Sequence, residues 1–336
     1  MKRAYTFNTK KDENLTCEFY PTKLKNYLRI KHPLKYCKRL ATFMLVSLFI
    51  FTSCRKLVQD EFPNFEPVPC INSILVAGKP IKVHISLATK LDKTQLEIID
   101  NAQVQLYIDG QFAEILNYEG EGIYVSTTIS EPLINYNCQV SIPDFETIEC
   151  NASIPEAQPI LDIVHINNAG VDEEGLTYPA VQFSFPNNPD ETTYYEAKII
   201  FPDDDYYSEG QIIYISDPVL LNEGLPMAVF SNELIETDTY TMTINYYSGH
   251  SSSTIDGVLH TMLDPFILEL RTVSYDYYTY VKQQYLYETG RYPDIVGGVI
   301  TPFPLHSNIE DAYGIFAGYS VVKSDTIFPN QLAISN

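Results

Sequence analysis

Residues 102–128 read AQVQLYIDGQFAEILNYEGEGIYVSTT, and this stretch decides the fold class. Val104, Leu106 and Ile108 alternate with polar neighbours, the period-2 pattern of a strand with one buried face. Asp109-Gly110 and Gly120-Glu121-Gly122 supply turn residues that tolerate positive φ. The spacing predicts strands over Ala102–Asp109, Phe112–Tyr118 and Ile123–Thr128. Outward in both directions the pattern repeats, with Val68–Leu75 and Ile81–Leu87 before it and Tyr136–Ile142 and Thr147–Ile154 after it. Ala77-Gly78-Lys79-Pro80 and Pro143-Asp144 mark the turns. Seven short strands in about 90 residues predict an antiparallel β-sandwich of immunoglobulin or transthyretin type over residues 68–155.

A second β-rich domain is expected over residues 156–336, with Pro155–Pro159 as the hinge. Its expected strands are Ile160–Ile166, Ala180–Phe185, Tyr194–Phe201, Gln211–Ile215, Tyr240–Tyr246 and Phe266–Val273. One helix interrupts them over residues 275–289: Ser274 can cap it, Asp276 favours the first turn and Gly290 ends it. Helical spacing groups Tyr277, Tyr278, Val281 and Tyr285 as the core side. Asp276, Tyr280, Gln283 and Tyr287 fall on the other, which makes Tyr280 and Tyr287 candidate partner-binding residues, since tyrosine gives a large, water-tolerant contact area.

The N-terminal segment carries an address. Lys31, Lys35, Lys38 and Arg39 precede an apolar run from Leu40 to Phe51. That run of about 12 residues is short of the roughly 20 needed to span a bilayer, so it reads as a signal peptide. Phe51-Thr52-Ser53-Cys54 closes it in the manner of a lipobox, which makes Cys54 the expected lipidation site. Residues 1–53 are then a removed signal with an early-called start, and residues 54–67 a lipidated tether.

After that cut, 11 basic residues face 40 acidic ones, a formal charge of −29. Such a surface repels nucleic acid, which binds through Lys and Arg that displace counterions. Besides Cys54 the mature chain keeps Cys70, Cys138 and Cys150. Cys138 and Cys150 flank the turn Pro143-Asp144-Phe145 symmetrically and form a disulfide candidate; buried free thiols are the alternative.

No motif carries clear chemistry. Gly249-His250-Ser251 lacks the closing glycine of a nucleophile elbow, because Ser253 stands there. His84, His165, His250, His260 and His306 share no metal-ligand spacing. Asp203-Asp204-Asp205 could hold a hard cation through carboxylate oxygens but lacks the alternate spacing of a calcium loop, and reads first as a solvated turn. Thr326 in Asp325-Thr326-Ile327 resembles an O-glycan acceptor. No enzyme activity, metal or cofactor is expected.

Several segments together resemble a family. Val76 to Ile81, Tyr118-Glu119-Gly120-Glu121-Gly122-Ile123-Tyr124, the strand-to-helix run Phe266 to Tyr280, and above all Ser307 to Ser320 are similar to the domain-of-unknown-function 4249 lipoproteins of Bacteroidota. The resemblance runs from about Cys54 to Val322. It implies a non-enzymatic outer-membrane lipoprotein that assists a TonB-dependent receptor in nutrient uptake, and it brings no catalytic residues. Gln59-Asp60-Glu61 resembles a surface-export signal set several residues late, which favours the cell surface over the periplasmic face. A stand-alone surface adhesin for glycan or protein is the alternative.

Overall fold

The computed structural model describes residues 66–88, 96–173, 177–202, 207–248, 251–255, 258–290 and 303–329. The chain is mainly β, with several packed sheets and two helices among the described residues. The N-terminal strands are β1 (Pro69–Val76), β2 (Pro80–Leu87), β3 (Glu97–Ile98), β4 (Gln103–Ile108), β5 (Gln111–Ile115), β6 (Asn117–Gly120), β7 (Ile123–Ile129), β8 (Asn135–Ser141) and β9 (Ile148–Ser153). There follow β10 (Asp162–Val171), β11 (Thr177–Pro186), β12 (Tyr194–Pro202), β13 (Tyr207–Glu209), helix α1 (Pro218–Glu223), β14 (Val229–Ser231) and β15 (Thr239–Asn245). The chain then runs through β16 (Ser251–Ile255), β17 (Val258–Met262), β18 (Ile267–Val273), helix α2 (Tyr275–Gly290) and β19 (Tyr313–Lys323).

Alternation explains the first sandwich. In β1 and β8 every second residue is buried, so Ile71 and Leu75 from one sheet and Tyr136, Cys138 and Val140 from the other meet in one core. The small sheet runs β5-β4-β8-β9, and the facing strands β1, β2, β7 and β6 belong to a ten-stranded sheet. The expected strand Phe112–Tyr118 is two strands in different sheets: β5 pairs with β4, and β6 pairs with β7. The chain crosses between them at buried Leu116, a sandwich corner that alternation alone does not reveal.

The large sheet continues from β1 through β19, β18 and β12, so residues 68–155 and 156–336 share it. Their cores remain separate: a second cluster gathers Phe183, Phe185, Tyr195, Phe230, Met242 and Leu268. β1 and β19 run parallel from Cys70 opposite Tyr313 to Val76 opposite Tyr319, a departure from the all-antiparallel expectation. At Gly314, φ is +124°, and a Cβ there would collide with the Ile71 carbonyl oxygen, so only glycine lets the two strands approach.

The segment Pro155–Pro159, expected as a hinge, is strapped to the sheet. Ser320 Oγ donates to the Pro155 carbonyl at 2.7 Å, and the Gln158 N–H donates to Thr272 Oγ1 at 3.1 Å. Of the expected strand Gln211–Ile215 only a bridge between Ile212 and Tyr246 forms. Helix α1 was not foreseen: Asp217 caps it by accepting from the Val219 N–H, Pro218 starts it and Gly224 ends it at φ +73°. No described helix is long and apolar enough to cross a membrane.

Candidate functional site

Helix α2 lies over a charged face of the large sheet. Alternation puts Ala197, Leu268 and Leu270 on the core side and Glu196, Glu269 and Arg271 on the other. Arg271 pairs with Glu196 at 2.9 Å and Glu269 at 2.8 Å, and Lys323 pairs with Glu269 from β19. From the helix, Tyr277 donates its hydroxyl to Glu196 at 2.7 Å, and Arg271 stands 4.7 Å from the Tyr319 ring centre. Burial pushes Glu269 up, but hydrogen bonds from Lys323 and Arg271 outweigh it and hold the carboxyl below its usual value. On the same helix Lys282 binds Glu223 at 2.7 Å, while Glu223 also accepts from the Ser231 N–H. Each carboxylate is bonded to cations, hydroxyls or amides, so this network seats the helix and offers no free base.

Tyr280 requires a correction. It packs against Val273, Tyr277, Ile315 and Ala317 and is partly buried, whereas Tyr287 is 37% exposed. The two residues therefore do not form one outward face. Helical geometry sets Tyr280 only about 60° round from Tyr277, and the long ring leans toward the N-terminus onto the sheet. Tyr285, grouped with the core side, lines a cavity of about 310 Å³ together with Glu196, Gln211 and Met227.

Cys138 and Cys150 are directly opposite each other on β8 and β9, buried and present as free thiols. Burial pushes both up, Cys150 to about 12. Cys54 and Asp203, Asp204 and Asp205 lie outside the described residues. Among the described residues no three His, Cys, Asp or Glu side chains converge as a metal site. His165 lies between Asn167 Oδ1 at 2.8 Å and the Tyr246 hydroxyl at 2.9 Å, and burial lowers its pKa. His306 instead meets Asp276 at 2.8 Å.

A cleft of about 610 Å³ opens where the strap Pro155–Gln158 passes between the two cores. Asn135, Gln158, Asn188, Glu191 and Thr193 line it, together with Glu156 of the strap. Leu133 and Pro186 supply its accessible apolar surface, while Ile154 and Tyr195, also in the lining, are buried core residues. The loop after β11 is held in place by Asn232, which is 3% exposed. Its Nδ2 donates to Asn187 Oδ1 at 2.7 Å, the Glu191 carbonyl at 2.9 Å and the Asn188 carbonyl at 3.1 Å, while its Oδ1 accepts from the Thr193 N–H at 2.8 Å. A single buried amide thus shapes one cleft wall. No Lys, Arg, His or Cys is among the lining residues.

Sequence reasoning missed this cleft because its residues come from 133–158, 186–195 and 272, segments with no shared motif. The one available signal was the pair of prolines in the strap.

Over residues 56–325 the sequence matches the family described as a domain of unknown function, DUF4249. The chain belongs to that family. The match spans both cores, the strap and helix α2, so the cleft lies wholly within the DUF4249 region. Among curated proteins none matches the chain.

Proposed function

We propose that this protein is a non-enzymatic lipoprotein, anchored to the outer membrane through Cys54, that binds a ligand in the polar cleft and serves a TonB-dependent receptor in nutrient uptake. The observation that carries the binding role is the cleft itself. Its size lies within the range of ligand sites, and its polar groups come from both halves of the chain, beside the apolar side chains of Leu133 and Pro186. Its lining offers amides, hydroxyls and carboxylates, groups that hold a polar ligand through hydrogen bonds. The lipobox-like end of the leader supports the anchor, and the acidic surface suits a protein that must not adhere to anionic headgroups.

Two measurements test the reading. Cys54→Ala is expected to abolish acyl labelling and release the protein from membranes washed in high salt; retention in the membrane would reject the lipid anchor. Purification of the anchored protein from its native membrane after mild cross-linking is expected to bring down a TonB-dependent receptor. A surface-exposed protein that comes down alone would favour the stand-alone adhesin.

A further inference from the structure

At the mouth of the cleft stands Leu133, in the turn between β7 and β8. Its φ is +63°, a left-handed conformation that a leucine adopts only under strain, and its side chain is 71% exposed. The backbone is fixed there by its N–H, which donates to the Ile154 carbonyl at 2.8 Å. Local physics favours glycine or asparagine at this position: either would relieve the strain, and neither would leave an isobutyl group in water. A strained, exposed apolar side chain at a cleft mouth is a contact held ready for something in the cleft.

The lining defines what that something is. Glu156 and Glu191 carry no ion pair among the described residues, and no cation lines the cleft, so an anion would meet uncompensated negative charge. The side-chain amides of Asn135 and Gln158 have no hydrogen-bond partner among the described residues. Asn188 uses only its Oδ1, which accepts from the Asp190 N–H at 3.2 Å. These amides present N–H donors as well as carbonyl acceptors, and a cationic ligand would leave the donors facing positive charge. A hydroxyl both donates and accepts, so it matches amides and carboxylates alike. Leu133 and Pro186 give an apolar surface suited to the C–H face of a sugar ring.

We propose that the cleft binds an uncharged polyhydroxylated ligand, a small saccharide, with Asn135, Gln158 and Asn188 reading its hydroxyls and Leu133 against its apolar face. This rests on the cleft being the ligand site proposed above. The test is calorimetric titration of the full purified protein with cellobiose, maltotriose, mannobiose and chitobiose, with glucuronate and lysine methyl ester as charged controls. At least one neutral saccharide is expected to bind with Kd below about 1 mM. Gln158→Ala and Asn188→Ala are each expected to weaken it about tenfold, the effect of one lost hydrogen bond. Leu133→Gly is expected to weaken binding at least about fivefold with an unchanged or higher melting temperature, a combination that a purely structural leucine would not give. No binding of any neutral saccharide, or tighter binding of either charged control, overturns the proposal. Unchanged affinity in Leu133→Gly overturns the role of that residue. Receptor co-purification without saccharide binding rejects this inference and leaves the accessory role standing; saccharide binding without a receptor does the reverse.

Discussion

Asn232 shows how far one side chain can reach. It has no charge and no ligand contact, yet its amide fixes four points on the loop that walls the cleft. Asn232→Ala leaves Asn187 Oδ1 and the Thr193 N–H without their partner in a buried setting. The expected cost is about 2–3 kcal/mol by urea denaturation, and amide exchange should quicken across residues 187–193. At Cys138 and Cys150 the opposed register brings the Cα atoms to the roughly 4.5–5.5 Å of a cross-strand pair, which a disulfide can bridge. In an oxidising compartment, with a disulfide oxidoreductase as electron acceptor, the two thiols are expected to link and Cys70 to stay free. Non-reducing peptide maps check this, and recovery of Cys138 and Cys150 as alkylated thiols from oxidised, unfolded protein would reject the bond.

At the scale of elements, helix α2 separates two kinds of tyrosine. Tyr280→Ala removes a ring that packs on Val273, Tyr277, Ile315 and Ala317, so a loss of about 1–3 kcal/mol in thermal unfolding is expected. Tyr287→Ala, at an exposed position, should stay within about 0.5 kcal/mol. If Tyr287 contributes to a partner surface, its removal lowers receptor co-purification without that loss of stability. Strands were legible wherever one face is buried and the other wet: β1, β2, β4 and β8 carry the alternation in their sequence. Helix α2 was legible from Ser274, Asp276 and Gly290. Pairing was not legible, because neither β1 nor β19 encodes that its partner lies some 240 residues away in parallel. Nor was the cleft, which is made by three segments distant in sequence and shaped by hydrogen bonds from Asn232. Tyr280 misled because a 100° wheel treats a side chain as a point, whereas a tyrosine ring spans the flank of its helix.

The whole molecule is strongly acidic, and its few cations are placed with care. Four of the 11 basic residues that follow Cys54, Lys198, Arg271, Lys282 and Lys323, pair with carboxylates on or beside the large sheet. Glu269 is held below its usual value there. Burial pushes Glu114 up as well, yet the hydrogen bonds from Thr127 and Thr128 outweigh it and bring the carboxyl down to about 2. Both groups are more acidic folded than unfolded, where a glutamate titrates near about 4.3. Their stabilisation is therefore fully present above that value and is lost as pH falls toward about 2. Urea midpoints should be steady near neutrality and drop across this acid window. Glu114→Gln should flatten part of the drop, and an unchanged acid profile in that variant would remove Glu114 from the account.

The seat of β1 between two partners also governs how the molecule answers a pull. From Pro69 onward β1 is laddered to β19 on one side and β2 on the other. A tensile force arriving from the N-terminal end runs along the strand, so the hydrogen bonds to both neighbours are loaded in shear and must give way together. A terminal strand at a sheet edge, tugged sideways, would unzip bond by bond. A pull on the N-terminal end of β1 is thus taken up through the interior of the ten-stranded sheet and not at its edge.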